Sequence, residues 1–404
     1  MKHLSVGLKE ALSITLEHIR PLPVERIPIT ESNGRVTASD LFALVDSPST
    51  DSSMKDGYAV VSHDVAGAAP DMPVRLKLEG QIAPGGKKDI EVKPGTTVRI
   101  LTGARIPSGA DAVLSEEFAQ PDGNDILVMN IAEPGRNILP RGRDVECRAC
   151  ILQQGRKISP GMTGLIAAAG HSTVPVFKNP TVTIIGTGDE IVIPGEPLSE
   201  GKLYASNIMT IDAWCKKYNM KTSITVVQDD FDIISRTIRT LSAGADAVIT
   251  SGGAWTGDRD LMANVLEGLG WQQYFHRIRI GPGKAVGFGM LDKKPVFILP
   301  GGPSSNLMGF LQIALPGLLA LAGHADPGLP RIQAQLAADL KGRQRDWTHF
   351  FFGRLEEAEG IPVFHPLNGS SRLRDIAEAE AIAAVPEGQD ELFKGSVISV
   401  QVLK

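Results

Sequence analysis

At 404 residues the chain exceeds what one hydrophobic core usually serves, roughly 250–300 residues, so several domains are expected. A hydrophobic content of 42% and a charged content of 22% are those of an ordinary globular protein. The net charge of −5, with no long Lys/Arg block, argues against nucleic acid or an acidic membrane as the main partner, and three cysteines fit a reducing, cytoplasmic setting.

In chain order, MKHLSVGLKEALSITLEHIRPLP lacks an unbroken apolar core and a small-residue cleavage site. It reads as an amphipathic helix with Leu8, Leu12, Leu16 and Ile19 on one face, ended by Pro21 and Pro23. The short alternating runs YAVVSH, PVRLKLEG, TTVRILTGA, ADAVLSEE and DILVMNIA then predict strands. GRKISPGMTGLIAAAGHSTVPVF predicts a turn, a short buried helix and an extended exit. From TVTIIGTG onward strands alternate with helices: KTSITVVQDD, a helix, ADAVITSGG and a further helix follow, which predicts a doubly wound α/β domain with a parallel sheet. VFILP leads into a final helical stretch to about residue 322; the apolar segment there is cut by Pro300, Pro303 and Pro316 and does not read as a simple membrane span. Beyond Pro327 strand-like pieces ending in SVISVQVLK predict a small C-terminal β domain. No internal repeat is evident.

The chemistry collects where the predicted strands end, which is where open parallel sheets bind ligands. TGDE brings Asp189 and Glu190, QDD brings Asp229 and Asp230, and TSGGAWTGDRD brings Asp258 and Asp260. One such acid alone is commonly a helix N-cap or a solvated loop residue. Three acidic strand ends in a row suggest a divalent cation, because clustered like charges are costly without one, and such oxygen donors suit Mg²⁺ together with substrate phosphates. SGG (with Gly252 and Gly253), GPGK (with Lys284) and LPGGPSSN (with Ser304, Ser305 and Asn306) offer backbone N–H groups and a helix start to an anion. Neither a P-loop nor a dinucleotide fingerprint is present, which disfavours a P-loop ATPase or an ordinary NAD enzyme. Cys147 and Cys150 form a CxxC without a second pair and read as incidental thiols; His171 and His365 read as structural. The RGR at 141–143 and RQR at 343–345 read as solvated, with a phosphate contact as the alternative. Trp255, inside a site loop, either packs on a neighbouring helix or stacks on a ligand ring.

TGDE, SGG…GDRD and LPGGPSS resemble the molybdopterin-binding domain of molybdenum-cofactor biosynthesis proteins. DSSMKDGYAV, RILTGARIPSGADAV and the GRD around Asp144 narrow the resemblance to molybdopterin molybdenumtransferases, the MoeA and gephyrin E-domain family, over nearly the whole chain. The resemblance implies a four-domain subunit: a linker and dimerisation domain (1–45 and 145–177), a small β-rich domain (46–144), the α/β molybdopterin-binding domain (178–327) and a C-terminal β-barrel-like domain (328–404). It implies a homodimer that takes molybdopterin adenylate and molybdate, inserts molybdenum with Mg²⁺ and releases AMP. A molybdopterin adenylyltransferase and recipient apo-enzymes are the implied protein partners. Carried over by position, Asp56, Thr102, Asp144, Glu190, Asp229 and Asp260 are the implied catalytic residues, with Glu190, Asp229 and Asp260 on the metal. Gly252, Gly253, Arg277, Lys284, Pro300, Pro303, Ser304 and Ser370 are the implied substrate-binding residues.

The chain departs from the family pattern at its anion-facing positions. Trp255 stands for a Ser, Gly281 for a Lys, Gly302 for the Asn of PGNP and Leu139 for an Arg. Phe352 occupies the register of an expected Arg, with Arg354 two residues on. Arg277, Arg279, Arg354 and Lys284 are the candidates to rebuild the pocket. A non-catalytic cofactor carrier or a tungstate-preferring insertase is the alternative reading.

Overall fold

The sheet that carries the candidate site is built from six strands: β1 (Thr181–Thr187), β2 (Lys221–Val227), β3 (Ala247–Ser251), β4 (Gln272–His276), β5 (Gly287–Leu291) and β6 (Lys294–Leu299). A computed structural model describes residues 5–86, 89–253, 261–367, 369 and 372–404. The strand order is β2-β1-β3-β6-β5-β4. The first four are mutually parallel, whereas β5 runs antiparallel to both β6 and β4. The expected all-parallel sheet is therefore a mixed one. The sequence between Gly268 and Lys294 conceals β4 and β5 because neither is a long apolar run of the kind a central parallel strand needs.

Helices α1 (Ser206–Lys217), α2 (Phe231–Ser242) and α3 (Leu261–Gly268) connect these strands, and α4 (Pro303–Leu321) follows β6. The period-two alternation of each strand divides its side chains between two cores. Val182, Ile184, Ile249, Phe297 and Leu299 pack with α1 and α4, while Ile185, Val248, Val296 and Ile298 pack with α2 and α3. The N-terminal helix, Leu8–His18, joins the first core. Its inward face is Ala11, Thr15 and then Ile19, with Leu8 and Leu12 half-buried at the flank, so the small residues rather than the leucine stripe make the closest approach.

Helix α4 passes through Pro316 without breaking and ends where the sequence leads one to expect, near residue 322. Pro316 has no N–H to offer the carbonyl of Gln312, and the strain is taken up in a π-helical turn over Phe310–Ala314. By length and hydropathy α4 would suffice to cross a membrane, but 83% of it is buried inside the protein, as a core helix is.

Upstream lies a six-stranded sheet containing Gly57–Val60, Thr96–Ile100 and Ala112–Ser115, buried on both faces by two small cores. Val24–Pro28 pairs with Thr173–Phe177, and Leu41–Phe42 with Cys150–Leu152, so segments far apart in sequence share the core of Ile27, Leu41, Leu152 and Ile166. At the C-terminal end Thr348–Glu356 pairs on one side with Val363–Pro366 and on the other with Ala381–Val385. Arg331–Leu336 and Val397–Val402 close the ring, giving the β-barrel expected there. A two-residue strand, Ile280–Gly281, leaves the α/β region and adds to this barrel beside Thr348 and His349.

Phe297 is fully buried, 5.2 Å from the Phe288 ring centroid and against Gly317 of α4. Phe297→Ala should lower stability by about 3–5 kcal/mol in the denaturant transition of the α/β region. A loss below about 1 kcal/mol would mean that this core is not packed as described.

Candidate functional site

The strand order reverses direction between β1 and β3, so the crevice at their carboxyl ends is where an open α/β sheet accepts a ligand. Two glycines let the loops converge there. Gly188 has φ +148, and a Cβ on it would fall 2.6 Å from the folded-back carboxylate of Glu190. Gly252 has φ +102, and its Cβ would lie 2.2 Å from the carbonyl oxygen of Thr187.

The turn after β6 is held from two sides. Asn306 is 1% exposed, and its side-chain amide donates to the Pro300 carbonyl (2.9 Å) and to Ser251 Oγ (2.9 Å). Asn207, on α1, donates to the Gly301 carbonyl at 2.7 Å. Asn306 was expected at an anion-binding helix start; the helix instead begins at Pro303, and its amide is spent inside the protein. Ser304 and Ser305 remain in the first turn and face a cavity.

Three cavities meet at this turn. One, of about 930 Å³, has an apolar rim of Leu198, Leu203 and Tyr204 with Glu190, Asn207 and Arg372 among its polar groups. A second, of about 700 Å³, lies against the barrel and carries Lys284, Lys341, Arg343 and Arg372 with Trp347 and Phe352. The third, of about 630 Å³, is lined by Glu190, Asp229, Gly252, Gly253 and Lys284. Gly301 borders the first and third, and Gly302 the second and third.

Glu190 and Asp229 are thus brought together, with Asp189 beside them accepting the Asp229 amide at 3.2 Å. Asp229 itself is solvent-facing, but partial removal from water and then the charges of Asp189 and Glu190 raise its carboxyl above its ordinary pKa. Asp230 is the N-cap of α2, accepting from the Ile233 amide at 2.8 Å. Among the described residues no three acids or histidines form a metal cluster by themselves. A repelled pair of carboxylates beside glycine loops nevertheless suits Mg²⁺, which takes one or two carboxylates and completes its shell with phosphate and water.

Pro303 and Ser304 line the cavities, and Pro300 is buried just behind them. Asp258, Asp260, Trp255 and Ser370 lie outside the described residues. Asp56 and Thr102 meet each other: the Thr102 amide and hydroxyl both donate to one Asp56 oxygen, at 2.6 and 2.8 Å. Those two bonds, with a smaller contribution from Arg99, lower the Asp56 carboxyl and keep it ionised. Asp144 is exposed on a loop whose amide donates to Ser47. None of Asp56, Thr102 and Asp144 lines the three cavities.

The cations that surround the second cavity differ from those expected. Arg279 is engaged by Glu387 and by the carbonyls of Ser5 and Asp346, and Arg354 by Glu378. Arg277, at φ +103, lines none of the three cavities. Lys341, Arg343 and Arg372 stand there with Lys284 instead. Lys341 is shared with Glu391, whereas neither Arg343 nor Arg372 forms an ion pair among the described residues. Arg343 belongs to the RQR run that reads as solvated; only the barrel's turn over the α/β edge brings it to the cavity. Cys147, Cys150 and Cys215 are free thiols, and His171 is satisfied by the Phe42 carbonyl.

An open α/β sheet with acidic and glycine loops at its carboxyl edge, joined to a closed barrel that offers cations, has the chemistry to suit phosphorylated or oxyanionic ligands. The profile of the MoeA N-terminal region (domain I and II) matches residues 6–170, that of a probable molybdopterin binding domain 183–320, and that of the MoeA C-terminal region (domain IV) 333–403. A solved molybdopterin biosynthesis MoeA protein from Pyrococcus horikosii is 31% identical, with 99% of this chain and 100% of that one covered and a TM-score of 0.81. A Mycobacterium tuberculosis protein named molybdopterin molybdenumtransferase 2 is 29% identical over 400 residues, 98% of each chain. A Bacillus subtilis molybdopterin molybdenumtransferase is 28% identical over 410 residues, 100% of this chain and 95% of its own. The chain belongs to the MoeA family.

Because folding raises the Asp229 pKa, its stabilising contribution is present at low pH and is lost as pH rises through the raised value. Without a divalent cation, Asp229→Asn should therefore raise the melting temperature at pH 7, and the gain should shrink on acidification. An unchanged or lower melting temperature at pH 7 would contradict the crowding of these acids.

Proposed function

We propose that this protein is a transferase of molybdenum-cofactor biosynthesis that inserts molybdenum from molybdate into adenylylated molybdopterin and releases AMP in a Mg²⁺-dependent step. The observation that carries the reading is the junction of three chemically unlike cavities at the Pro300–Pro303 turn. An adenylylated pterin is flat at both ends, and the rim of Leu203 and Tyr204 suits a ring. Its phosphoanhydride falls beside the Gly252–Gly253 and Gly301–Gly302 backbones, with Lys284 as a point charge. Molybdate, a tetrahedral dianion, suits the cavity of Lys284, Ser304, Arg343 and Arg372.

Glu190, Asp229 and Asp260 would hold Mg²⁺. When bound, the ion screens the phosphate oxygens and steadies the charge on the departing AMP. In the balanced reaction the two dithiol sulfurs bond to molybdenum and one oxygen leaves it as water with the two thiol protons, while a second water adds across the phosphoanhydride to give AMP and the pterin phosphate. Asp56 is ionised, and its second carboxylate oxygen is left for a ligand once Thr102 has taken the first. A homodimer would bring Asp56, Thr102 and Asp144 from a second copy of the chain to the open side of the cavities. A molybdopterin adenylyltransferase would supply the substrate in the cytoplasm, and recipient apo-enzymes would take the product. Gly281 and Phe352 remove cations that the family pattern leads one to expect, but Arg343 and Arg372 restore charge at the same cavity, which favours catalysis over passive carriage.

Purified protein mixed with adenylylated molybdopterin, Mg²⁺ and either molybdate or tungstate should release AMP. Asp229→Ala should reduce turnover by about a hundredfold or more. Ligand binding without AMP release from either oxyanion would overturn the transferase reading in favour of a carrier.

A further inference from the structure

The position where the family pattern has a lysine, Gly281, is filled by another residue's side chain. The strand Ile280–Gly281 runs parallel to Thr348–His349, and a Cβ on Gly281 would lie 3.1 Å from His349 Cδ2 and 3.3 Å from Nε2. His349 is 7% exposed and lines the cation-bearing cavity. Its Nε2 accepts the Arg343 amide at 3.2 Å. A backbone N–H can only donate, so Nε2 carries the lone pair, and a neutral ring then holds its proton on Nδ1, which is buried without a hydrogen-bond partner among the described residues.

The charged groups around the imidazole agree with a neutral ring. Burial is the largest influence and lowers its pKa; the Arg343 charge acts the same way, against the Trp347 carbonyl and Asp346. Lys284, Lys341, Arg372 and Asp375 face the same cavity. The Lys341–Trp347 segment is tied by Gly342 N–H to the Asp390 carbonyl, by Gly388 N–H to the Arg345 carbonyl and by Arg279 Nε to the Asp346 carbonyl. The Arg343 amide adds the bond to the cavity-lining His349.

We propose that His349 is a positioning residue for oxyanion binding: it occupies the space of the missing side chain at 281 and, by accepting from the Arg343 amide, fixes the Lys341–Trp347 segment so that its cations wall the cavity. The family's charge at 281 is thereby exchanged for charge delivered from the barrel. This inference rests on reading that cavity as the oxyanion site, and the test separates the two.

Binding of molybdate and of tungstate to the full-length protein with Mg²⁺ would be measured by calorimetry, alongside steady-state AMP release. His349→Ala should weaken oxyanion binding about five- to tenfold, the worth of one hydrogen bond and its consequences, and raise KM for molybdate with kcat within about twofold. His349→Gln, whose side-chain oxygen can accept from the same amide, should stay within about twofold of the native protein. Gly281→Lys should also lose affinity, although it adds a positive charge, because its stem displaces the imidazole. Native affinity in His349→Ala, equal damage from Ala and Gln, or a gain from Gly281→Lys would each overturn the proposal. If His349→Ala fails to fold, as its melting curve would reveal, the Gln and Lys variants decide. A native protein that binds neither oxyanion would overturn the reading of the cavity itself, and the role of His349 with it.

Discussion

One buried amide, that of Asn306, fixes the relation between the ends of β3 and β6. Its two donors are spent on the Ser251 hydroxyl and the Pro300 carbonyl, groups that would otherwise be left without partners where two strands stop. An unsatisfied buried polar group costs on the order of 1–3 kcal/mol, so the arrangement is held more firmly than loop contacts usually are. With Asn207 on the Gly301 carbonyl, the Pro300–Pro303 turn becomes a rigid divider between three cavities.

The divider explains why unlike chemistry can coexist within one crevice. On the β1–β2 side the acids crowd, and the raised Asp229 pKa records that crowding. On the barrel side the charges are positive, and they come from a different part of the chain. The short strand at Ile280–Gly281 is what couples the two: it registers the α/β edge with the barrel residue by residue, so that a cation on the barrel turn can stand in for one absent from the edge.

Much of the fold was legible in the sequence, because continuous apolar runs alternating with helical stretches have few other solutions. The strand-end acids were legible for the same reason: once the strands were placed, Glu190 and Asp229 had to emerge on one edge. What stayed hidden depends on contacts across long sequence separations. Arg343 reads as a solvated surface residue and is one, but only closure of the barrel reveals that it also lines the cavity. Asn306 reads as an anion donor because its two internal acceptors, 6 and 55 residues away, carry no signal of their own. Gly281 reads as a lost charge, and only the register of a two-residue strand reveals His349 in its place.

The central claim is that the cavity between the Pro300–Pro303 turn and the barrel receives the oxyanion while the acidic crevice on the other side of the turn serves the phosphate and its cation. Crystals soaked with tungstate and Mg²⁺ and measured at the tungsten absorption edge test it directly. The account predicts an anomalous peak among Lys284, Ser304, Arg343 and Arg372. A peak on the Glu190–Asp229 side of the turn, or none within any of the three cavities, would contradict it.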